Sequence, residues 1–526
     1  MNKFERQCRQ PADQETLPHA AINDLAQGTV DVIDVSDAPP IAPRAPLTPR
    51  EIRTIVFSLM LTMLLAALDQ TIVATALPTI GRQFHDVSNL AWVITAYLLA
   101  STAVAPVFGT LSDIYGRRAM IIVALSLFMV GSLICAVAPN LTILILARGL
   151  QGLGGGGIMP LVQTMISDIM LPRERGRYQA YFSSVWVVGG IGGPVLGGVF
   201  AEHLHWSMIF WINLPLGIGA LAMLLPKMGK IPVFHRKRKV DWFGGVLLMA
   251  SAVVFLLVLT WGGNRYLWLS PTIMGMIGVA VMLAVGFAWH ALHTDEPFLP
   301  IPLMGGSVVP YAILAGGCSM GTLIGLTVNM PLYYQVVYHL SASEAGLALI
   351  PLVAISVPGA MIAGRAMMHL KRYKWVAVAG TACSSAMGIL MAVGPAMSLW
   401  TLLAVLSVFA LGLGTTFPTS LVSIQNSVAR SQVGTATGAL NFFRSLMSSF
   451  MVAAFSAILL QALGMDISTG EQNHAPVNSI SPADMVEAFR YVFGAAAVLL
   501  AGSSIFLMLM EEKPLAGPAT PVEMAE

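Results

Sequence analysis

IVFSLMLTMLLAALDQTIVATAL, residues 55–77, carries one charged side chain, Asp69, in an otherwise apolar and uncharged run. At 1.5 Å per helical residue the segment is about 34 Å long, enough to cross the roughly 30 Å hydrocarbon core of a bilayer. An ionised group near the bilayer centre costs at least about 2.5–3.5 kcal/mol, so Asp69 has to face a partner or a cavity. Runs of the same kind recur along the chain. Of 526 residues 56% are hydrophobic and only 10% charged, with a mean hydropathy of +0.76; soluble domains carry about 25% charged residues. A water-soluble globular protein is excluded. The net charge of +2 gives no basis for binding nucleic acid, and Cys8, Cys135, Cys318 and Cys383 are too isolated to form a metal site or an evident disulfide framework.

A spanning length of about 20 apolar residues predicts helices near 55–77, 91–111, 119–138, 142–166, 180–201, 206–226, 241–261 and 271–291. Six more are predicted near 308–336, 344–365, 374–394, 398–424, 434–461 and 489–510. The fold class is therefore an all-α polytopic membrane protein of fourteen spans, the long ninth and thirteenth being candidates for tilt or breakage. Residues 1–53, polar and acidic-leaning with no apolar run near Met1, read as a disordered cytoplasmic tail rather than a signal peptide. With that end inside, 23 of the 28 Lys and Arg fall on the inner side, as the bias of basic residues toward cytoplasmic loops requires. Only Arg82, Arg265 and Arg490 fall outside, while Arg148 and Arg444 lie within spans. A miscounted helix would scramble this asymmetry.

The chain also repeats itself weakly. Gly152-Leu153-Gly154 with Pro160 in span four matches Gly412-Leu413-Gly414 with Pro418 in span twelve, and GGIGGPVLGG in span five faces GTATGAL at the start of span thirteen. Both offsets are eight helices, which fits two six-helix halves, 54–226 and 308–510, separated by an inserted pair within 227–307 and followed by a cytoplasmic tail, 511–526. Internal repeats are the usual construction of secondary transporters.

No GxxxxGK[ST] phosphate loop occurs, so the expected energy source is an ion gradient. Neither HExxH, GxSxG nor paired-Cys patterns appear, and Glu202-His203-Leu204-His205 has the wrong spacing for a helical zinc pair. No enzymatic activity, cofactor or metal is expected. Asp69 and Arg148 both lie roughly 10–14 Å below the outer surface, so they can meet at one level. A carboxylate there is pulled toward ionisation by Arg and toward protonation by desolvation. Such a site can take up and release a proton; a permanent structural ion pair is the alternative. Arg444 has no evident acidic partner in its own half. A contact with an anionic substrate group, a contact with the Asp69 region and a snorkelling or carbonyl-bonded role all stay open.

In GTLSDIYGRR, residues 109–118, Gly109 and Gly116 permit close approach and a tight reversal. Asp113 is placed to cap the next helix or accept from a nearby Arg, and Arg117 with Arg118 anchors the inner side. This chemistry suits a latch between halves. In GGIGGPVLGG, Gly189, Gly193 and Gly197 recur every four residues as a smooth packing face, Pro194 invites a bend, and Gly198 closes the motif. Polar or aromatic residues on inner spans, Gln70, Tyr97, Gln151, Gln163, Asn213, Asn329, Gln335 and Asn441, are cavity candidates, each with an interhelical hydrogen bond as the plainer role.

These stretches closely resemble the major facilitator superfamily and, within it, the fourteen-helix drug:proton antiporters, over essentially residues 51–510. GTLSDIYGRR is similar to the loop 2–3 signature, with Ile114 where a basic residue is common. LARGLQGLGGGG is similar to the fourth-helix signature, whose Arg, here Arg148, is implicated in proton transfer. GGIGGPVLGG resembles the helix-five antiporter signature, and LDQTIVATALP the first-helix motif of the fourteen-helix group, with Ala74 where Asn is frequent. WVITAYLLA, FWINLPLG and the VDWFGG opening of the inserted pair follow in order. The resemblance implies a major facilitator fold and proton-coupled export of hydrophobic or amphipathic compounds by alternating access, with Asp69 and Arg148 as the coupling residues. The short loops point to the bacterial inner membrane, and the Lys and Arg bias puts both termini in the cytoplasm. The implied partners are lipid, protons, a small-molecule substrate and, in some relatives, a periplasmic adaptor. A dedicated exporter of one metabolite or lipid, and uptake by symport, remain alternatives. A receptor or scaffold is disfavoured because no large extramembrane module exists beyond the tail and the loop near 462–488.

Overall fold

In lipid every backbone N–H and C=O has to be satisfied within the protein, and a helix does this inside one segment. The computed structural model describes residues 48–86, 89–229, 240–263, 265–463 and 481–515. Among these, fourteen helices are long and apolar enough to cross a membrane. The first half holds α1 (Pro49–Phe84), α2 (Trp92–Tyr115), α3 (Arg117–Ala136), α4 (Leu141–Ile169), α5 (Pro172–Phe200) and α6 (Met208–Met228). Then come α7 (Trp242–Trp261) and α8 (Pro271–His293). The second half holds α9 (Val309–Val337), α10 (Ser343–His369), α11 (Lys374–Val393), α12 (Leu399–Ser427), α13 (Arg430–Ala462) and α14 (Pro482–Leu509).

Hydropathy locates these helices but underestimates their ends. α1 starts at Pro49, inside the stretch 1–53 read as tail, because Thr48 and Glu51 form a capping box: Glu51 N donates to Thr48 Oγ1 and Thr48 N to Glu51 Oε2. Such a cap satisfies the orphan amides of a first turn whatever its polarity. α5 and α14 likewise begin at Pro172 and Pro482, each proline in the first turn where its missing N–H is harmless. The remainder of the tail, the Lys230 to Lys239 basic cluster, residues 464–480 and residues 516–526 lie outside the described residues.

The breaks are not in the ninth and thirteenth helices. α9 runs unbroken from Val309 to Val337 and α13 from Val433 to Ala462. Instead, helical segments end at Trp211 in α6, at Ala348 and Ala354 in α10 and at Gly414 in α12. Trp211, Ala354 and Gly414 each lie four residues before a proline, Pro215, Pro358 and Pro418. A proline offers no N–H to the carbonyl four residues back and its ring crowds that carbonyl. Pro78 and Pro331 sit within helices that continue through them, so a proline alone does not announce a break.

Helix pairing displays the repeat. In the first half α1 packs on α5 and α6, α4 on α2 and α3, and α3 on α6; in the second, α9 packs on α13 and α14, α12 on α10 and α11, and α11 on α14. Every pair maps onto its counterpart by adding eight. The halves meet through α2 against α13 and α5 against α10. The inserted α7 and α8 pack on each other, and α7 also touches both α2 and α13, so it lies along the seam.

One carboxylate organises that insertion. Asp241 caps α7 by accepting from Gly244 N at 2.9 Å, accepts from Phe298 N at 3.1 Å, and meets His290 Nε2 of α8 at 2.8 Å. Burial pushes its pKa up, but the bonds from Gly244, His290 and Phe298 outweigh burial and hold it below the ordinary 3.8. A depressed carboxylate stabilises the fold above its unfolded pKa, and that contribution is lost as pH falls through the folded value. Asp241→Ala is expected to cost about 1–2 kcal/mol at neutral pH, as loss of a helix cap does. Thermal unfolding in detergent checks it, with the difference from wild type shrinking only in strong acid.

Candidate functional site

Asp69 is fully buried on α1, and five of the first six helices converge on it. From α4, Arg148 Nη1 donates to Asp69 Oδ2 at 2.6 Å and Gln151 Nε2 to Asp69 Oδ1 at 2.8 Å. From α6, Asn213 Nδ2 donates to the same Oδ1 at 3.0 Å. From α3, Ser132 Oγ accepts from both Gln151 Nε2 and Asn213 Nδ2, at 2.6 and 3.0 Å. From α2, the Val93 carbonyl accepts from Arg148 Nε at 3.0 Å, and the Tyr97 ring lies 4.4 Å from the guanidinium carbon. Arg148 also donates to Gln151 Oε1 at 2.7 Å, and Phe210 stands 5.8 Å from its charge centre. A buried charge survives only when paired and hydrogen-bonded, and both conditions are met here.

One polar atom in this nest, Asn213 Oδ1, has no hydrogen bond, and the Tyr97 hydroxyl has the half-buried Gln70 as its polar neighbour. Glycines make the nest possible. A Cβ on Gly152 would stand 2.5 Å from the Tyr97 carbonyl oxygen, and one on Gly131 2.6 Å from the Gln151 Cα.

A second cluster joins the halves. Asp113 on α2 accepts from Gly434 N at 3.0 Å and from Thr435 N and Oγ1 at 2.7 and 2.8 Å. It therefore caps α13 of the other half, not the following α3, whose start carries no side-chain cap. Arg117 pairs with Asp113 at 2.5 Å and with Asp168 of α4 at 3.2 Å. The crossing is close enough that a Cβ on Gly109 would sit 2.5 Å from Gly434 O. Gly116 holds the reversal with φ of 89°, a region that L side chains rarely adopt. Arg118 is exposed and takes no part.

The glycine motif of α5 lies on α1 beside the site. Gly189, Gly193 and Gly197 abut Ala67, Thr71 and Thr75 in turn, and Thr71 Oγ1 donates to Gly189 O at 2.8 Å. Pro194 stays within a continuous helix, and Gly198 faces open space. Gly193→Val is accordingly expected to impair folding or transport severely, whereas Gly198→Ala is tolerated; yield of monodisperse protein and transport rate read both.

The other candidates divide. Gln151, Tyr97 and Asn213 belong to the Asp69 nest. Gln163 and Asn441 join the halves: Asn441 Nδ2 donates to Gln163 Oε1 at 2.7 Å, and Gln425 Nε2 to the Gln163 carbonyl at 3.3 Å. Asn329 donates to Gly325 O and accepts from Ser456 within the second half, and Gln335 is exposed. Arg444 reaches neither Asp69 nor any carboxylate among the described residues; it donates to the Phe417 carbonyl and to Ser420 Oγ. Sequence reasoning missed Ser132, Asp168 and the Val93 carbonyl. The first had a signal, a Gly-Ser pair within an apolar run, and the second an acidic residue at the inner end of a span. No group of His, Cys, Asp and Glu able to hold a metal occurs among the described residues.

Comparison with known proteins agrees with this architecture. Residues 59–452 match the family model of the Major Facilitator Superfamily. "Efflux pump FUS6" of Gibberella moniliformis is 33% identical, the match covering 76% of this chain and 73% of the relative. "Multidrug resistance protein 3" of Bacillus subtilis is 30% identical, over 77% and 79%. The crystal structure of the human organic anion transporter MFSD10 superposes with a TM-score of 0.61 at 14% identity, over 88% of this chain and all of that one. The proton:xylose symporter XylE does so with 0.56, also at 14%, over 89% and 98%. The chain belongs to the major facilitator superfamily. It is a multi-pass membrane transporter of that family.

Proposed function

We propose that the protein exports hydrophobic or amphipathic small molecules in exchange for protons, by alternating access, with Asp69 and Arg148 as the coupling pair. The observation that carries this reading is the buried nest around Asp69, in which a carboxylate with three donors lies beside one unused acceptor, Asn213 Oδ1. A proton added to Asp69 turns one accepting oxygen into a donor. That donor faces the Arg148, Gln151 and Asn213 N–H groups on its present sides, and Asn213, whose Oδ1 has no partner, can offer that oxygen by turning its amide over. Protonation thus loosens the Asp69 to Arg148 contact while Arg148 keeps Val93 O, Gln151 Oε1 and the Tyr97 ring.

The hydrogen bonds that cross between the halves, from Asp113, Gln163 and Arg173, gather at the end carrying the loop 2–3 motif. With the basic loops cytoplasmic, that closed end is the inner one, and substrate and proton exchange with the outer face. We place both termini in the cytoplasm of a cell whose membrane is energised by protons, on the bacterial inner-membrane model. The names of the relatives, efflux pump and multidrug resistance protein, support export over uptake. One proton crossing about 150 mV supplies roughly 3.5 kcal/mol, a gradient of a few hundredfold at one-to-one coupling. The test is purified protein in proteoliposomes under an imposed pH gradient, with cationic, neutral and anionic dyes. Accumulation against the proton flow supports antiport; accumulation with it overturns it.

A further inference from the structure

The ionised groups deep in the fold fall into two kinds. Arg148 is neutralised by Asp69, and Arg117 by Asp113 and Asp168. Arg444 is not neutralised. It lies about 17 Å along α13 from Val433, 9% exposed, with no carboxylate within salt-bridge distance among the described residues. A guanidinium has five N–H donors. Here both bonds run through Nη2, to the Phe417 carbonyl at 3.1 Å and Ser420 Oγ at 2.6 Å. Nε is buried without a partner, and Nη1 makes no hydrogen bond among the described residues. The Phe417 ring stands 5.8 Å from the charge centre. On the α9 side, Gly316 leaves room: a Cβ there would come within 3.1 Å of Nε.

A desolvated cation with unused donors is expensive to keep without a counter-charge. Two neutral acceptors orient it but leave its charge uncompensated. We infer that Arg444 is the anion-recognition point of the substrate path in the second half, taking the carboxylate, sulfonate or phosphate of an amphipathic substrate. The apolar part then lies against the Phe417 ring. The planar fork suits oxyanions, and Ser420 holds the guanidinium in place for them. This rests on the export reading only in treating the space between the halves as the substrate path.

The test is equilibrium binding to the full chain in phosphatidylcholine nanodiscs, with empty nanodiscs subtracted. The probes are anilinonaphthalene sulfonate and phenylnaphthylamine, the same ring system without the charge. Arg444→Gln is expected to weaken the sulfonate about tenfold or more and to leave phenylnaphthylamine within about twofold, which also shows the variant to be folded. Arg444→Lys should retain part of the sulfonate affinity. Gly316→Ala, which crowds Nε while keeping the charge, should weaken the sulfonate selectively. Equal weakening of both probes, or an unchanged sulfonate, would overturn the assignment and leave Arg444 a structural bolt to the Phe417 carbonyl. Competition by added phosphatidylglycerol would overturn it too, by giving Arg444 to a lipid headgroup. Binding is read without a pH gradient. Loss of proton-driven flux with the sulfonate preference intact therefore counts against antiport alone, and loss of the preference with antiport intact counts against this assignment alone.

Discussion

Asp69→Asn is expected to reduce pH-driven transport by about a hundredfold or more while leaving a folded protein. The amide keeps the size of the carboxyl and one accepting oxygen, so Gln151 and Asn213 can still bond to it. It cannot neutralise Arg148, whose Nη1 now stands 2.6 Å from a position with no charge to offer. Removing one partner of a buried pair costs about 3–5 kcal/mol, which converts to about two to four powers of ten in rate when the pair has to form once per cycle. The effect on coupling is more specific than the effect on stability. A side chain that cannot exchange a proton leaves substrate movement insensitive to the pH gradient, so downhill exchange should survive in part while uphill transport disappears. Asp69→Glu, which keeps the titrating group on a longer arm, should recover some uphill transport. Equal loss in Glu and Asn variants would indicate a purely structural pair.

Asp113→Ala is expected to shift the protein toward a state open at the basic end. The substitution deletes three hydrogen bonds into the first turn of α13, each worth about 1 kcal/mol net. Arg117 keeps Asp168, so it is not left bare. A change of about 2–3 kcal/mol moves a two-state ratio by roughly 30- to 150-fold. Spin labels on the basic ends of α2 and α13 in reconstituted protein should report a new, longer distance population, with Asp113→Asn intermediate. An unchanged distribution would show that glycine packing alone holds that end shut.

What was legible in the sequence follows from what is costly in lipid. Fourteen spans could be counted because each apolar run is long, and Asp69 and Arg148 could be paired because no other acidic residue lies deep within a span. The polar ends were less visible. Hydropathy stops at the interface, whereas the capping box of Thr48 and Glu51 carries α1 past it. Ser132 went unnoticed because a serine in a membrane helix costs little and usually bonds its own backbone; only the fold shows that it receives Gln151 and Asn213. The partner of Asp113 was hidden for another reason. GTATGAL could be read as a repeat of span five, but nothing local says that its first amides meet an aspartate more than 300 positions earlier. Polarity singles out Gln163 and Asn441, but it does not say that the two bond to each other across the halves.

The central claim is that proton and substrate move in opposite directions through a cycle that needs the Asp69 carboxyl. The direct measurement is simultaneous recording of internal pH and of an amphipathic dye in proteoliposomes given a dye gradient and no initial pH gradient. Wild type should move protons against the dye flow, with Asp69→Asn moving dye and no protons. Protons travelling with the dye, or proton movement unchanged in Asp69→Asn, would contradict the account.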